Sequence, residues 1–128
     1  MTSSRQIWEV RKNSLQNKES YSFVIVGYPE SDYSGTRFDH NLQIEDGSIT
    51  GNKIVNGTEL LDNEEYLSRY SKTIDEMYDW CEGFIEDYLL NQGINLSFGL
   101  SSDGLISYCK ISNTTDLSSG FENMILLQ

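Results

Sequence analysis

The side chains of this chain that could do chemistry are few, and their spacing does not assemble a catalytic site. The single histidine, His40, directly follows Asp39. In a strand, consecutive side chains point to opposite faces, so Asp39 cannot orient His40 as a general base. A nucleophilic pair of Cys109 with His40 would require a chance meeting in space. We therefore expect His40 to lie at the edge of the core, on the same strand face as Phe38 and Leu42.

The cysteines and the glycine-containing turns also lack the spacing of a known site. Cys81 and Cys109 lie far apart in sequence without a Cys-x-x-Cys pattern, and a zinc site needs more Cys and His ligands. The two thiols could meet in space, but buried free thiols are the commoner outcome, and we expect both as core residues. Asp46–Ser48 and Asp103–Gly104 have turn chemistry, not calcium-loop spacing. The sequence predicts no catalytic residue, no metal site and no cofactor.

An acidic stripe on one predicted helix is the strongest candidate for a binding surface. Asp75, Asp79, Glu82 and Glu86 fall within about 60° of one another on a helix that turns about 100° per residue. No Lys or Arg follows three or four residues later, and like charges at this spacing cost roughly 0.2–0.5 kcal/mol per pair. Trp80 lies at the edge of the apolar face, flanked by Glu76 and Asp87, and an aromatic residue ringed by acids is typical of an interface hot spot. We predict that the four acids of the stripe and Trp80 bind a partner.

The overall charge indicates what kind of partner this is. The chain has 20 Asp and Glu against 9 Lys and Arg, a net charge of −11. Residues 1–18 hold four bases and one acid, so the remainder is still more acidic. Phosphate backbones and anionic membranes repel such a surface, which excludes nucleic acid and membrane as expected partners. A basic protein is the predicted partner, and solubility through net charge is the simpler alternative.

Hydrophobic periodicity predicts the elements that position these residues. Residues 3–17 have the pattern of a short amphipathic helix, and residues 62–70 that of another. A capping box at Thr73 and Glu76 begins a long helix of about residues 73–92, which stops before Gly93. Asp46–Gly47 predicts a tight hairpin. Strand patterns span residues 21–28, 38–45, 49–55, 94–100, 105–111 and 121–127.

Together these elements predict one α+β domain over residues 1–128, with an antiparallel sheet of about five strands and both main helices packed on it. The oligomeric state is open, although the apolar strand at residues 121–127 could pair across a dimer edge. No apolar run approaches the ~18 residues of a membrane span, and no export signal is evident. We expect a cytoplasmic protein, with export as the alternative.

The order of landmarks resembles a family of small, uncharacterised bacterial proteins, many of them lipoproteins or secreted. Its marks are a helical Trp, a Tyr-Ser-Phe strand, a strand ending in Asp-Gly and a Thr-Ile-Asp-Glu helix start. They correspond here to Trp8, Tyr21–Phe23, Leu42–Gly47 and Thr73–Glu76. The chain lacks the export signal and the cysteines that often follow the first strand. The resemblance implies an α+β fold and no established activity.

Two function hypotheses follow from the sequence. The first is a non-enzymatic interaction module that offers an acidic surface to a basic partner, for example an immunity-type inhibitor that masks a cationic cleft. The alternative is a small-molecule carrier or sensor with a pocket between helix and sheet. Its aromatic lining would be Tyr21, Phe23, Tyr78, Phe84 and Tyr88.

Overall fold

The computed structural model describes residues 2–16, 18–26, 39–56, 59–60, 71–91, 93–112 and 118–127. The predicted helix at residues 62–70 lies outside these ranges. The elements are α1 (Thr2–Ser14), β1 (Lys18–Val26), β2 (Asp39–Glu45), β3 (Ser48–Asn56), β4 (Glu59–Leu60), α2 (Ile74–Leu90), β5 (Asn95–Leu100), β6 (Ile106–Ser112) and β7 (Ser118–Leu126).

The strands form one antiparallel sheet in the order β4-β3-β2-β1-β7-β6-β5. The α+β class, the antiparallel sheet and the two helices are therefore confirmed. Over the described ranges the sheet has seven strands, more than the about five predicted, and β4 is only two residues long. The N-terminal helix ends at Ser14, before the predicted end at residue 17.

The last strand, β7, lies inside the sheet. It pairs with β1 on one side, where Tyr21 is opposite Leu126, and with β6 on the other, where Cys109 is opposite Phe121. Because both of its edges are already hydrogen-bonded within the chain, the expectation that this strand forms a dimer edge is wrong.

The start of α2 and the β2–β3 turn follow local sequence rules. The Thr73 hydroxyl accepts a hydrogen bond from the Glu76 backbone N–H at 3.0 Å, and the Glu76 carboxylate accepts one from the Thr73 N–H at 3.0 Å. This is the predicted capping box. At the hairpin, Asp46 and Gly47 both have positive φ, 52° and 79°, as a type I′ turn requires.

One face of the sheet carries the core. The buried residues of α2 pack with Trp8 of α1 onto alternate residues of β1, β2, β6 and β7. The fully buried large side chains at this interface include Trp8, Tyr21, Phe23, Leu42, Ile74, Met77, Tyr78 and Phe121. In the described ranges no helix is long and apolar enough to cross a membrane.

A disulfide joins the two layers at the centre of this core. Cys81 of α2 and Cys109 of β6 are bonded across a Cα–Cα distance of 5.7 Å, and both residues are fully buried. The expectation of two free thiols is therefore wrong. The cause is tertiary, because the sheet-facing side of α2 lies directly over the helix-facing side of β6, and the spacing in sequence carries no information on that contact.

Candidate functional site

The acidic stripe of α2 contacts basic residues of the same chain. The Arg5 guanidinium lies 2.8 Å from a carboxylate oxygen of Asp79 and 2.9 Å from one of Glu82. The Lys12 ammonium lies 2.8 Å from the carboxylate of Asp75. Helix α1 thus supplies the charges that the sequence of α2 lacks, from residues more than sixty positions away.

These contacts differ in how far they withdraw the carboxylates from solvent. Asp75 also accepts a hydrogen bond from the Trp8 indole at 3.1 Å, and its side chain is 32% exposed. Asp79 remains 67% exposed despite its ion pair, and Glu82 is 40% exposed. The hydrogen bond that Arg5 donates to Asp79 raises the pKa of Arg5, and the one that Lys12 donates to Asp75 raises the pKa of Lys12. Asp75 is therefore a structural residue, whereas Asp79 and Glu82 can still meet a second basic group.

Trp80 points away from the stripe. If Cys81 marks the side of α2 that faces the sheet, a step of about 100° per residue places Trp80 on one flank and Glu82 on the other. The Trp80 ring centroid lies 5.5 Å from that of Phe84 and 5.9 Å from that of Phe121 on β7, and the Lys72 ammonium lies 5.6 Å from its centroid. Trp80 and the stripe therefore lie on opposite flanks of α2, and Trp80 shares its flank with Glu76 and Asp87, four residues before it and seven after it on the same helix.

The last turns of α2 carry acids with no ion pair recorded in the described structure. Glu86 is exposed, as predicted, and the neighbouring Asp87 is exposed too. The last turn of α2 contains no basic residue. Glu86 lies on the same side of α2 as Asp79 and Glu82, and Asp87 lies about 100° further round the helix, toward Trp80. We call these four acids the α2 acidic surface.

His40 is buried in the core. Its ring is fully buried and stacks on Phe23, with 5.0 Å between the ring centroids. Burial lowers the pKa of His40 to about 3, so the imidazole is neutral at neutral pH. With Cys81 and Cys109 bonded to each other, neither the histidine nor a thiol is presented to solvent as a base or nucleophile.

Four of the five aromatic residues that were predicted to line a pocket instead fill the space between helix and sheet, and the fifth, Tyr88, is 48% exposed. Tyr21, Phe23 and Tyr78 are buried to 1% exposure or less. The Tyr78 hydroxyl is 2.7 Å from the Ser4 hydroxyl and accepts a hydrogen bond from the Ile106 N–H at 3.0 Å. These bonds connect α1, α2 and β6, which is a structural role.

A cleft of about 400 Å³ lies on the opposite face of the sheet, over β1, β2 and β3. This face is identified by register, because Ser20, Gln43 and Gly51 are paired neighbours and alternate with the core residues Tyr21 and Leu42. Sequence reasoning missed the cleft, since its residues come together only through strand pairing. The side chains that reach it from this face are Ser20, Asn41, Gln43, Lys53 and Leu127.

Over the described ranges, no group of three or more His, Cys, Asp or Glu side chains could hold a metal ion. No protein-family model, curated protein or solved structure matches this chain. The resemblance to small bacterial proteins stays a prediction.

Proposed function

We propose that this protein is a non-enzymatic interaction module that binds a basic protein through the α2 acidic surface. The observation that carries the proposal is the pairing of α1 with α2. Arg5 forms ion pairs with Asp79 and Glu82. Further along the same helix, Glu86 and Asp87 are exposed acids. Complementary charge of this kind raises the rate of encounter and selects partners.

The net charge of the chain supports the same proposal. Because the net charge is −11, the protein is strongly attracted to a cationic surface at low ionic strength, and this attraction weakens as salt screens it. An immunity-type inhibitor, which masks a basic cleft of another protein, is one concrete form of such a module. It requires an exposed acidic surface and no catalytic group of its own.

The test is recovery of a basic protein from native lysate on immobilised protein, at about 0.05 M and about 1 M salt. The variant to compare is Glu86→Lys with Asp87→Lys, which reverses two exposed acids that have no ion pair recorded in the described structure. Reversal at Asp79 and Glu82 is less informative, because it would place new positive charge against Arg5.

A matched control carries the same change of charge elsewhere, Asp39→Lys with Glu45→Lys on β2, where both acids are also exposed. We expect the wild type and this control to recover the same basic protein at low salt, and the α2 variant to lose it. Equal recovery by both variants would contradict the proposal.

The buried disulfide supports a further part of the proposal, the compartment. Disulfides form and persist in oxidising compartments and are rare in reducing cytosol. The Cys81–Cys109 bond is integral to the core. It therefore favours the exported alternative over the cytoplasmic one.

A small-molecule carrier is the second candidate function, and the cleft over β1–β3 is the observation that favours it. Its volume of about 400 Å³ is within the usual range for ligand sites. Amide and hydroxyl groups and one ammonium group line it, but most of its exposed lining is apolar, so it suits a small ligand with both apolar and polar parts. Native mass spectrometry of the purified protein tests this, and a retained ligand that is lost in the Gly51→Leu variant would support it.

A further inference from the structure

The second half of α2 and the strand β5 form an open groove beside the α2 acidic surface. Leu96, Phe98 and Leu100 of β5 lie on the helix-facing side of the sheet, because they pair in register with Ile111, Cys109 and Ile106. Phe98 is 43% exposed and Leu100 is 50% exposed. Leu96 packs against the core, whereas Phe98 and Leu100 form an apolar floor that α1 and α2 leave uncovered.

The flank of α2 that bears Glu82 and Glu86 lies above this floor. Trp80 and Phe84 lean toward Phe121 on β7, so the opposite flank of the helix faces β5, which lies on the other side of β6. At about 100° per residue, Ile85, Glu86 and Leu89 are on that opposite flank. Leu89 is 75% exposed, as expected for a residue above an open groove.

Helix α1 covers only the first half of this flank. It runs antiparallel to α2, since Arg5 contacts Glu82 and Lys12 contacts Asp75. In the part of the chain that the structure describes, only three residues of α1 precede Arg5, so little of this helix extends beyond Glu82 along α2. The chain therefore satisfies the first part of the acidic flank with its own basic helix and leaves the part at Glu86 exposed.

Among the described strands, none pairs with the outer edge of β5. It is the last strand in the sheet order over the described ranges, and in an antiparallel pair alternate residues direct their N–H and C=O groups away from the neighbouring strand. Sheet edges are usually protected by Lys, Pro or an inward-pointing charge. Residues 95–100 contain none of these.

Charge decides between the possible occupants of this groove. Residues 83–105 contain Glu86, Asp87 and Asp103 and no Lys or Arg. In a dimer formed through this groove, two chains of net charge −11 would approach each other, and their acidic residues around the groove would repel. A basic segment avoids this repulsion. Its Lys or Arg side chains would pair with the acids of α2 as Arg5 already pairs with Asp79 and Glu82.

We propose that the basic partner binds by adding an extended strand to β5, with apolar side chains on Phe98 and Leu100 and basic side chains reaching Glu86. This inference rests on the proposed function and specifies the partner as a protein with an exposed, alternating basic and apolar segment. Strand addition gains affinity from backbone hydrogen bonds and specificity from alternate side chains.

The probe is a synthetic ten-residue peptide of alternating Lys and Val, with two control peptides. One control has Glu in place of Lys, and the other keeps every Lys but has Pro at two central positions. Binding is measured by fluorescence anisotropy at low and high salt, and amide hydrogen exchange locates the bound peptide. We expect the Lys-Val peptide to bind, to protect amides at residues 95–100 and to weaken with salt, and both controls to bind about tenfold more weakly or not at all.

The matched variants are Phe98→Lys, in the groove, and Ile125→Lys, on the opposite face of the sheet. Both replace a half-exposed strand residue and add the same charge. We expect Phe98→Lys to weaken peptide binding about tenfold and Ile125→Lys to retain it. Leu89→Lys, on the helix side of the groove, repeats the test at a site too exposed to disturb folding.

Three results would overturn the inference. The first is equal binding of the Lys-Val peptide and of the control with two central Pro residues, which would mean that charge attraction acts without strand pairing. The second is protection of residues 95–100 at high protein concentration without peptide, together with a dimer in sedimentation, which identifies a second copy as the occupant. The third is a basic protein from lysate that is lost with Glu86→Lys and Asp87→Lys but unaffected by Phe98→Lys, which leaves the proposed function intact and removes only the strand addition.

Discussion

Reduction of the Cys81–Cys109 disulfide is expected to lower the free energy of unfolding by about 3–4 kcal/mol. The bond links residues 28 positions apart. In the chain-entropy description, a loop of this size removes about 12 cal/mol/K from the unfolded ensemble, or about 3.6 kcal/mol at 25 °C. Reduction leaves both sulfurs in the core, so no cavity contributes to this value. For a domain with a typical stability of about 5–15 kcal/mol, the loss is a large fraction.

The assay is urea denaturation of the oxidised and the reduced protein, followed by Trp fluorescence. Trp8 is fully buried and Trp80 is half-buried, so both report on loss of the core. The chain has two cysteines, both in this bond, so a reductant has no other disulfide to act on. Because both cysteines are fully buried, reduction under native conditions should be slow and should accelerate at urea concentrations below the midpoint.

Two results would refute this reasoning. If the oxidised and reduced proteins unfold within about 1 kcal/mol of each other, the bond does not constrain the unfolded chain as calculated. If protein isolated from an oxidising compartment titrates two free thiols after denaturation, the bond does not form.

Three further changes test other parts of the structure. Burial holds His40 neutral with a pKa of about 3, below its unfolded value of about 6.5, so its contribution to stability is present above pH 6.5 and is lost as the pH falls toward 3. In urea titrations the wild type should lose about 2 kcal/mol more than His40→Leu between pH 7 and pH 5, and parallel pH profiles would contradict this. Arg5→Ala should cost about 0.5–1 kcal/mol at low salt, because Asp79 and Glu82 lose their shared cation at a partly exposed site, and a difference that persists at about 1 M salt would argue against an electrostatic origin. Gly120→Ala should cost about 2–4 kcal/mol in thermal unfolding, because φ is +136° and the added Cβ would overlap a backbone carbonyl oxygen of β6, so a Tm equal to the wild type would show that β7 can shift.

Local signals in the sequence predicted the elements that depend on neighbouring residues. The capping box of Thr73 and Glu76 and the Asp46–Gly47 turn each act over four residues or fewer, and both form as predicted. Strand alternation also predicted that His40 is on the core side of β2, although the ring is fully buried and does not lie at the edge of the core as expected. In these cases the physical cause lies within the window that the pattern covers.

The misplaced features all depend on contacts between distant segments. Whether Cys81 and Cys109 bond is decided by how α2 crosses β6, and the position of β7 is decided by its partners β1 and β6. The ion pair of Arg5 with Glu82 spans 77 residues. The acidic stripe was visible in the sequence, and the unequal charge of residues 1–18 was the one signal that could have identified its internal partner.

The central position of β7 also determines how the chain folds. Tyr21, near the start of the described chain, pairs with Leu126, near its end, at the middle of the sheet. Contacts this distant in sequence slow folding, because the entropy of closing the intervening loop is lost before the contacts form. Until β7 is inserted between β1 and β6, no strand joins them and the two halves of the sheet stay separate. Deleting residues 118–126 would therefore remove the join between two half-sheets, whereas removal of an edge strand would only narrow the sheet.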